Sequence, residues 1–112
     1  MCKRSELDDI IKIVVDIYRK TYGEDIVEII LYGSYARGEE QNDSDIDIVA
    51  IVNGERKLLQ DALVEVWNQV DDVSIDYETI ISPTVIPYQE YMKWKEDIPY
   101  YHNIDKEGIR VA

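Results

Sequence analysis

Two apolar runs and the short polar stretch between them constrain this chain more than any other feature. Ile26-Val27-Glu28-Ile29-Ile30-Leu31-Tyr32 ends abruptly in Gly33-Ser34, and Ser44-Asp45-Ile46-Asp47 then opens a second run to Val52. β-Branched residues dominate both runs, which predicts two strands, the first of them central. Gly33 lacks a Cβ, so the chain can turn sharply and an anion can come close to the main chain. Ser34 adds a hydroxyl donor, and the amides opening the next segment point at the same spot, where a helix N-terminus favours a phosphate. On a strand, Asp45 and Asp47 project from one face, roughly 6 to 7 Å apart. Such a pair suits Mg²⁺, a hard cation usually held through one or two carboxylates plus substrate phosphates.

The rest of the chain supports this frame. Leu7, Ile10, Ile11, Val14, Val15, Tyr18 and Tyr22 recur at three-and-four spacing and predict a helix that Ser5 can cap and Gly23 can end. Tyr35-Ala36-Arg37-Gly38 has the length of about one helical turn, with residues 39–43 as a polar loop in which Asp43 is a loop residue. Arg37 is open to two readings: a contact to phosphate, or a surface arginine neutralising Glu39, Glu40 or Asp43. The phosphate contact is the expectation. Asp45 to Val52 forms the second strand, and Asn53-Gly54 breaks it. Leu58, Leu59, Ala62, Leu63, Val66, Trp67 and Val70 mark a second amphipathic helix, with Trp67 read as structural and not as a nucleobase platform. Val73 to Ile81 alternates and predicts a third strand, ended by Ser82-Pro83. One face of it carries both Asp76 and Glu78, and either is a candidate third acid. A short helix is expected from Tyr88 to Lys95, interrupted by Pro99. His102, far from any second ligand at metal spacing, reads as a surface residue.

The length of 112 residues predicts one domain with a single modest core and no separate substrate-binding domain. The formal net charge is −12, from 24 acidic and 12 basic residues. Nucleic acid is bound by clustered Lys and Arg, so this balance argues against it as a partner and favours a small molecule or a basic protein surface. Cys2 is the sole cysteine, and no apolar leader or long apolar span is present. A cytoplasmic protein with no membrane partner is the expectation, with Cys2 a bystander.

Gly33-Ser34 followed after ten residues by Asp45-Ile46-Asp47-Ile48 resembles the signature of the DNA polymerase beta-like nucleotidyltransferase superfamily. Ala36-Arg37-Gly38 and Ser44-Asp45-Ile46-Asp47 are similar, more narrowly, to its minimal nucleotidyltransferase (MNT) branch. The resemblance runs approximately from Ile26 to Ile109, and Ile104 to Ile109 looks like the closing helix and strand of that branch. It implies an α+β fold in which a small mixed sheet carries helices mainly on one side. It also implies a third acid between apolar neighbours on a later strand, which selects Asp76 over Glu78. Asp45, Asp47 and Asp76 would then hold two Mg²⁺ ions and be catalytic, with Gly33, Ser34, Arg37 and Ser44 binding the nucleotide. The implied reaction moves a nucleoside monophosphate, AMP from ATP, onto a hydroxyl and releases pyrophosphate. Small MNT proteins resemble the antitoxins of HEPN-MNT toxin-antitoxin pairs, so the implied acceptor is a tyrosine of a HEPN-type ribonuclease toxin. An aminoglycoside-type transferase and a non-catalytic antitoxin acting by contact are the alternatives.

Overall fold

The computed structural model describes residues 4–40 and 44–112. Cys2 and Gln41, Asn42 and Asp43, the last three expected in a polar loop, fall outside them. Helix α1 (Arg4–Tyr22) takes in Ser5, so its start precedes the expected cap. Gly23, at φ 59°, turns the chain through a short 3-10 turn into β1 (Ile26–Tyr32). Then follow α2 (Ser34–Arg37), β2 (Ile46–Val52), α3 (Arg56–Asp76), β3 (Ile81–Pro87), α4 (Tyr88–Trp94), α5 (Pro99–Glu107) and β4 (Ile109–Arg110). β2 pairs antiparallel with β1 and parallel with β3, and β4 closes the other side in the order β3-β2-β1-β4.

Side-chain alternation splits this mixed sheet into two apolar faces. Leu31, Ile46, Ile48, Ala50, Val52, Ile81 and Val85 face the long helices α1 and α3 in the larger core. Ile30, Val49, Ile51 and Ile86 face the other way and are covered by Tyr91 of α4 and by Tyr101 and Ile104 of α5. The fold is α+β as expected. The two long helices share one side, and the two short ones cover part of the other.

The expected strand from Val73 to Ile81 is not there. Its first half is the end of α3, because Leu59, Leu63, Val66, Val70, Val73 and Tyr77 continue one three-and-four stripe into the larger core. The helix stops in a Schellman turn: the Thr79 amide reaches the Ser74 carbonyl (3.0 Å), and that of Glu78 reaches Ile75 (3.2 Å). Glu78 holds the left-handed position at φ 52°, which is normally a glycine's. β3 therefore starts eight residues later than expected and includes Ser82 and Pro83, which had read as its end.

β3 is an edge strand, and its prolines explain how it tolerates being one. The Ile46 amide donates to the Ile80 carbonyl (2.8 Å), so the alternation along β3 turns the amides of positions 81, 83, 85 and 87 away from β2. Pro83 and Pro87 fill two of these outward positions, at no loss to the ladder and with a blunted edge. Inside the ladder, a side chain from α1 bridges the strands. The Thr84 amide donates to the Tyr18 hydroxyl (3.0 Å), which donates in turn to the Ile48 carbonyl (2.7 Å). The burial of Tyr18 raises its phenol pKa well above the usual value, so the proton stays in place. Tyr18→Phe strands both backbone groups and should cost about 1 to 3 kcal/mol. Urea unfolding measures this, and an unchanged midpoint would mean that β2 and β3 pair without the hydroxyl.

Candidate active site

Gly33 leaves β1 at φ 79°, ψ −157°, in a region that is essentially glycine-only. A Cβ there would lie 2.5 Å from Asp47 Oδ2. The turn thus closes directly onto the carboxylate, a cradle that any side chain would fill. The Gly33 carbonyl accepts from the amides of Ala36 (3.1 Å) and Arg37 (3.2 Å), which winds α2, and Gly38 ends it at φ 71°. Tyr35, fully buried in the larger core, pins this short helix and leaves the Ser34 hydroxyl partly exposed at its start.

Asp47 stands half-buried on β2, opposite Tyr32 of β1 and Ser82 of β3. Directly paired residues point to the same side of a sheet, so these three share the face of α4 and α5. Burial pushes the Asp47 carboxyl above its usual pKa, the nearby negative charge of Asp45 pushes it further, and Arg37 opposes both. Asp45 is exposed just ahead of the strand, and Ser44, partly exposed, precedes it. Among the described residues, Arg37 forms ion pairs with Glu39 (3.3 Å) and with Glu107 at the end of α5 (3.5 Å). Its hydrogen bond to Glu39 is the main reason its pKa is raised. Glu39 is one of the acids that the surface reading of Arg37 names, and the arginine's charge also acts on Asp47.

The expected triad is not assembled. Asp76 lies exposed in the last turn of α3, a helix packed on the opposite face of the sheet. Among the described residues, no three His, Cys, Asp or Glu side chains stand together as a metal site. Asp45 and Asp47 offer hard oxygen donors beside the Gly33 turn, and that set fits one Mg²⁺ completed by phosphate oxygens.

The sequence reading missed the groups that flank Asp47. Tyr100 of α5 meets Tyr32 edge-on, with ring centroids 5.9 Å apart. Burial raises the Tyr100 phenol pKa, a hydrogen bond from Thr84 opposes the rise, and the charge of Asp47 adds to it. The Tyr101 hydroxyl binds Glu90 (3.1 Å), itself paired with Arg56, so α5 is tied to α4 and α3. A depression of about 340 Å³ between α1 and Val111 involves none of these groups.

Residues 7–101 match the nucleotidyltransferase domain family, and the chain belongs to it. No curated protein matches the sequence. Among solved structures, it is similar in fold to a toxin-antitoxin with AMP-PNP, at 15% identity and TM-score 0.58, over 93% of this chain and 73% of that one. A mutant of the toxin-antitoxin MntA-HpeT is similar at 11% identity and TM-score 0.57, over 90% and 71%. No helix among the described residues is long and apolar enough to cross a membrane.

Proposed function

We propose that the chain transfers AMP from ATP, with Mg²⁺, onto a tyrosine hydroxyl of a HEPN-type ribonuclease toxin, and so acts as its antitoxin. The observation that carries this is the closure of the Gly33 turn onto Asp47 in a chain of the nucleotidyltransferase family. The resemblance to MNT antitoxins and the fold likeness to toxin-antitoxin structures, one with AMP-PNP, support the choice of partner and nucleotide. The acidic chain repels ATP, so nucleotide affinity depends on a bridging cation. Asp45 and Asp47 would hold Mg²⁺, which neutralises phosphate charge and orients the triphosphate. Gly33 admits the phosphates to main-chain distance, and Ser34 donates to them. Arg37, Ser44 and Tyr100 would add contacts to the nucleotide. The acceptor oxygen bonds to the α-phosphorus, the bond to the bridging oxygen breaks, pyrophosphate leaves, and the hydroxyl proton passes to solvent. Positioning and charge stabilisation supply most of the rate in such transfers.

A contact-only antitoxin is the second reading, favoured by Ser82 rather than an acid opposite Asp47. Co-incubating a HEPN-type toxin, this protein, ATP and Mg²⁺, and weighing the toxin by intact mass spectrometry, separates the two. The proposal expects the toxin to gain one or more AMP units, and none with the Asp45→Asn, Asp47→Asn double variant. Neutralisation without any mass gain would establish the contact-only reading instead.

A further inference from the structure

We infer that the site binds one divalent cation together with the nucleotide, not two, and that Ser82 marks the place of the missing ligand. The inference rests on the nucleotide-site reading above. Two metal ions clamping an in-line displacement stand about 3.5 to 4 Å apart and share carboxylates that bridge them. Among the described residues, the place for a further acid beside Asp47 is a strand flanking β2. The β1 neighbour of Asp47 is Tyr32. The parallel register puts Ser82 against Asp47, and Thr84 against Val49, on the same face. All three offer neutral hydroxyls, which are poor substitutes for carboxylate beside a doubly charged ion. The acids that end α3, Asp76 among them, form no metal-holding group with Asp45 and Asp47. Two carboxylates balance the charge of one Mg²⁺, and the phosphates complete its shell. The acceptor side of the site is thus hydroxyl-lined, by Ser82, Thr84 and Tyr100.

Bound Mn²⁺ is counted by electron paramagnetic resonance with saturating AMP-PNP, in the native protein and in Ser82→Asp and Ser82→Asn. Ser82 is partly exposed at the start of β3, so both substitutions fit the strand. The expected counts are one for the native protein, two for Ser82→Asp and one for Ser82→Asn. With a second ion beside the acceptor, Ser82→Asp should also transfer AMP faster, by roughly a hundredfold. Two ions in the native protein would overturn the inference and leave the nucleotide site intact. A count of one in Ser82→Asp would overturn the assignment of Ser82. No Mn²⁺ in the native protein would overturn the nucleotide-site reading, and this inference with it.

Discussion

Gly33→Ala is expected to unfold more easily and to lose most of its nucleotide affinity. The backbone at this position costs a non-glycine residue about 1 to 3 kcal/mol, and the new methyl would meet the Asp47 carboxylate at 2.5 Å. Backing the carboxylate away displaces a metal ligand, which should weaken Mg²⁺-ATP binding by roughly tenfold or more, about 1.4 kcal/mol. Gly23→Ala is the control. It shares a positive φ of 59° but has nothing within 4 Å, so it should lose stability and keep its affinity. Thermal melts and ATP titrations on both variants separate strain from the site. Equal affinity in Gly33→Ala and the native protein would mean that the turn does not control Asp47.

Asp47→Asn should sharply weaken metal-dependent nucleotide binding while making the metal-free protein more stable. Burial and Asp45 raise the Asp47 pKa in the fold, so the native state holds this proton more tightly than the unfolded chain does. The stability this provides is present at low pH and is lost as pH rises from the ordinary carboxylate value through the folded pKa. At pH 7 the ionised carboxylate is a cost that the amide removes. The variant should therefore melt above the native protein at pH 7 without metal, with the difference vanishing below the ordinary value of 3.8. Its Mg²⁺-ATP affinity should fall by roughly a hundredfold, about 2.7 kcal/mol. A lower metal-free melting temperature at pH 7 would show that Asp47 is a structural ligand to its neighbours.

The half of the fold that local chemistry specifies was legible in the sequence. Ile26–Tyr32 is the strand its β-branched run predicts, and Gly33, Ser34 and Asp47 fall where the turn and alternation put them. Helix stands where the sequence predicts the start of a third strand because Val73-Ser74-Ile75-Asp76-Tyr77 satisfies two periods at once. Val73, Ile75 and Tyr77 alternate like a strand, while Val70, Val73 and Tyr77 continue a helix. Packing of the helical stripe against α1 and the sheet decides between them, and the stop carries Glu78 where a glycine would have signalled it. Asp76, expected on that strand, ends α3 instead. Tyr100 and Ser82 were illegible for a different reason: what puts them beside Asp47 is strand pairing and the docking of α5, contacts that no local spacing encodes.

Isothermal titration of ATP, with Mg²⁺ and in excess chelator, tests most directly whether the Gly33 turn and the aspartate pair form a metal-dependent nucleotide site. The native protein should bind with Mg²⁺ and lose that binding in chelator, and the Asp45→Asn, Asp47→Asn double variant should bind in neither. Equal affinity with and without metal, or an undiminished affinity in the double variant, would contradict the account.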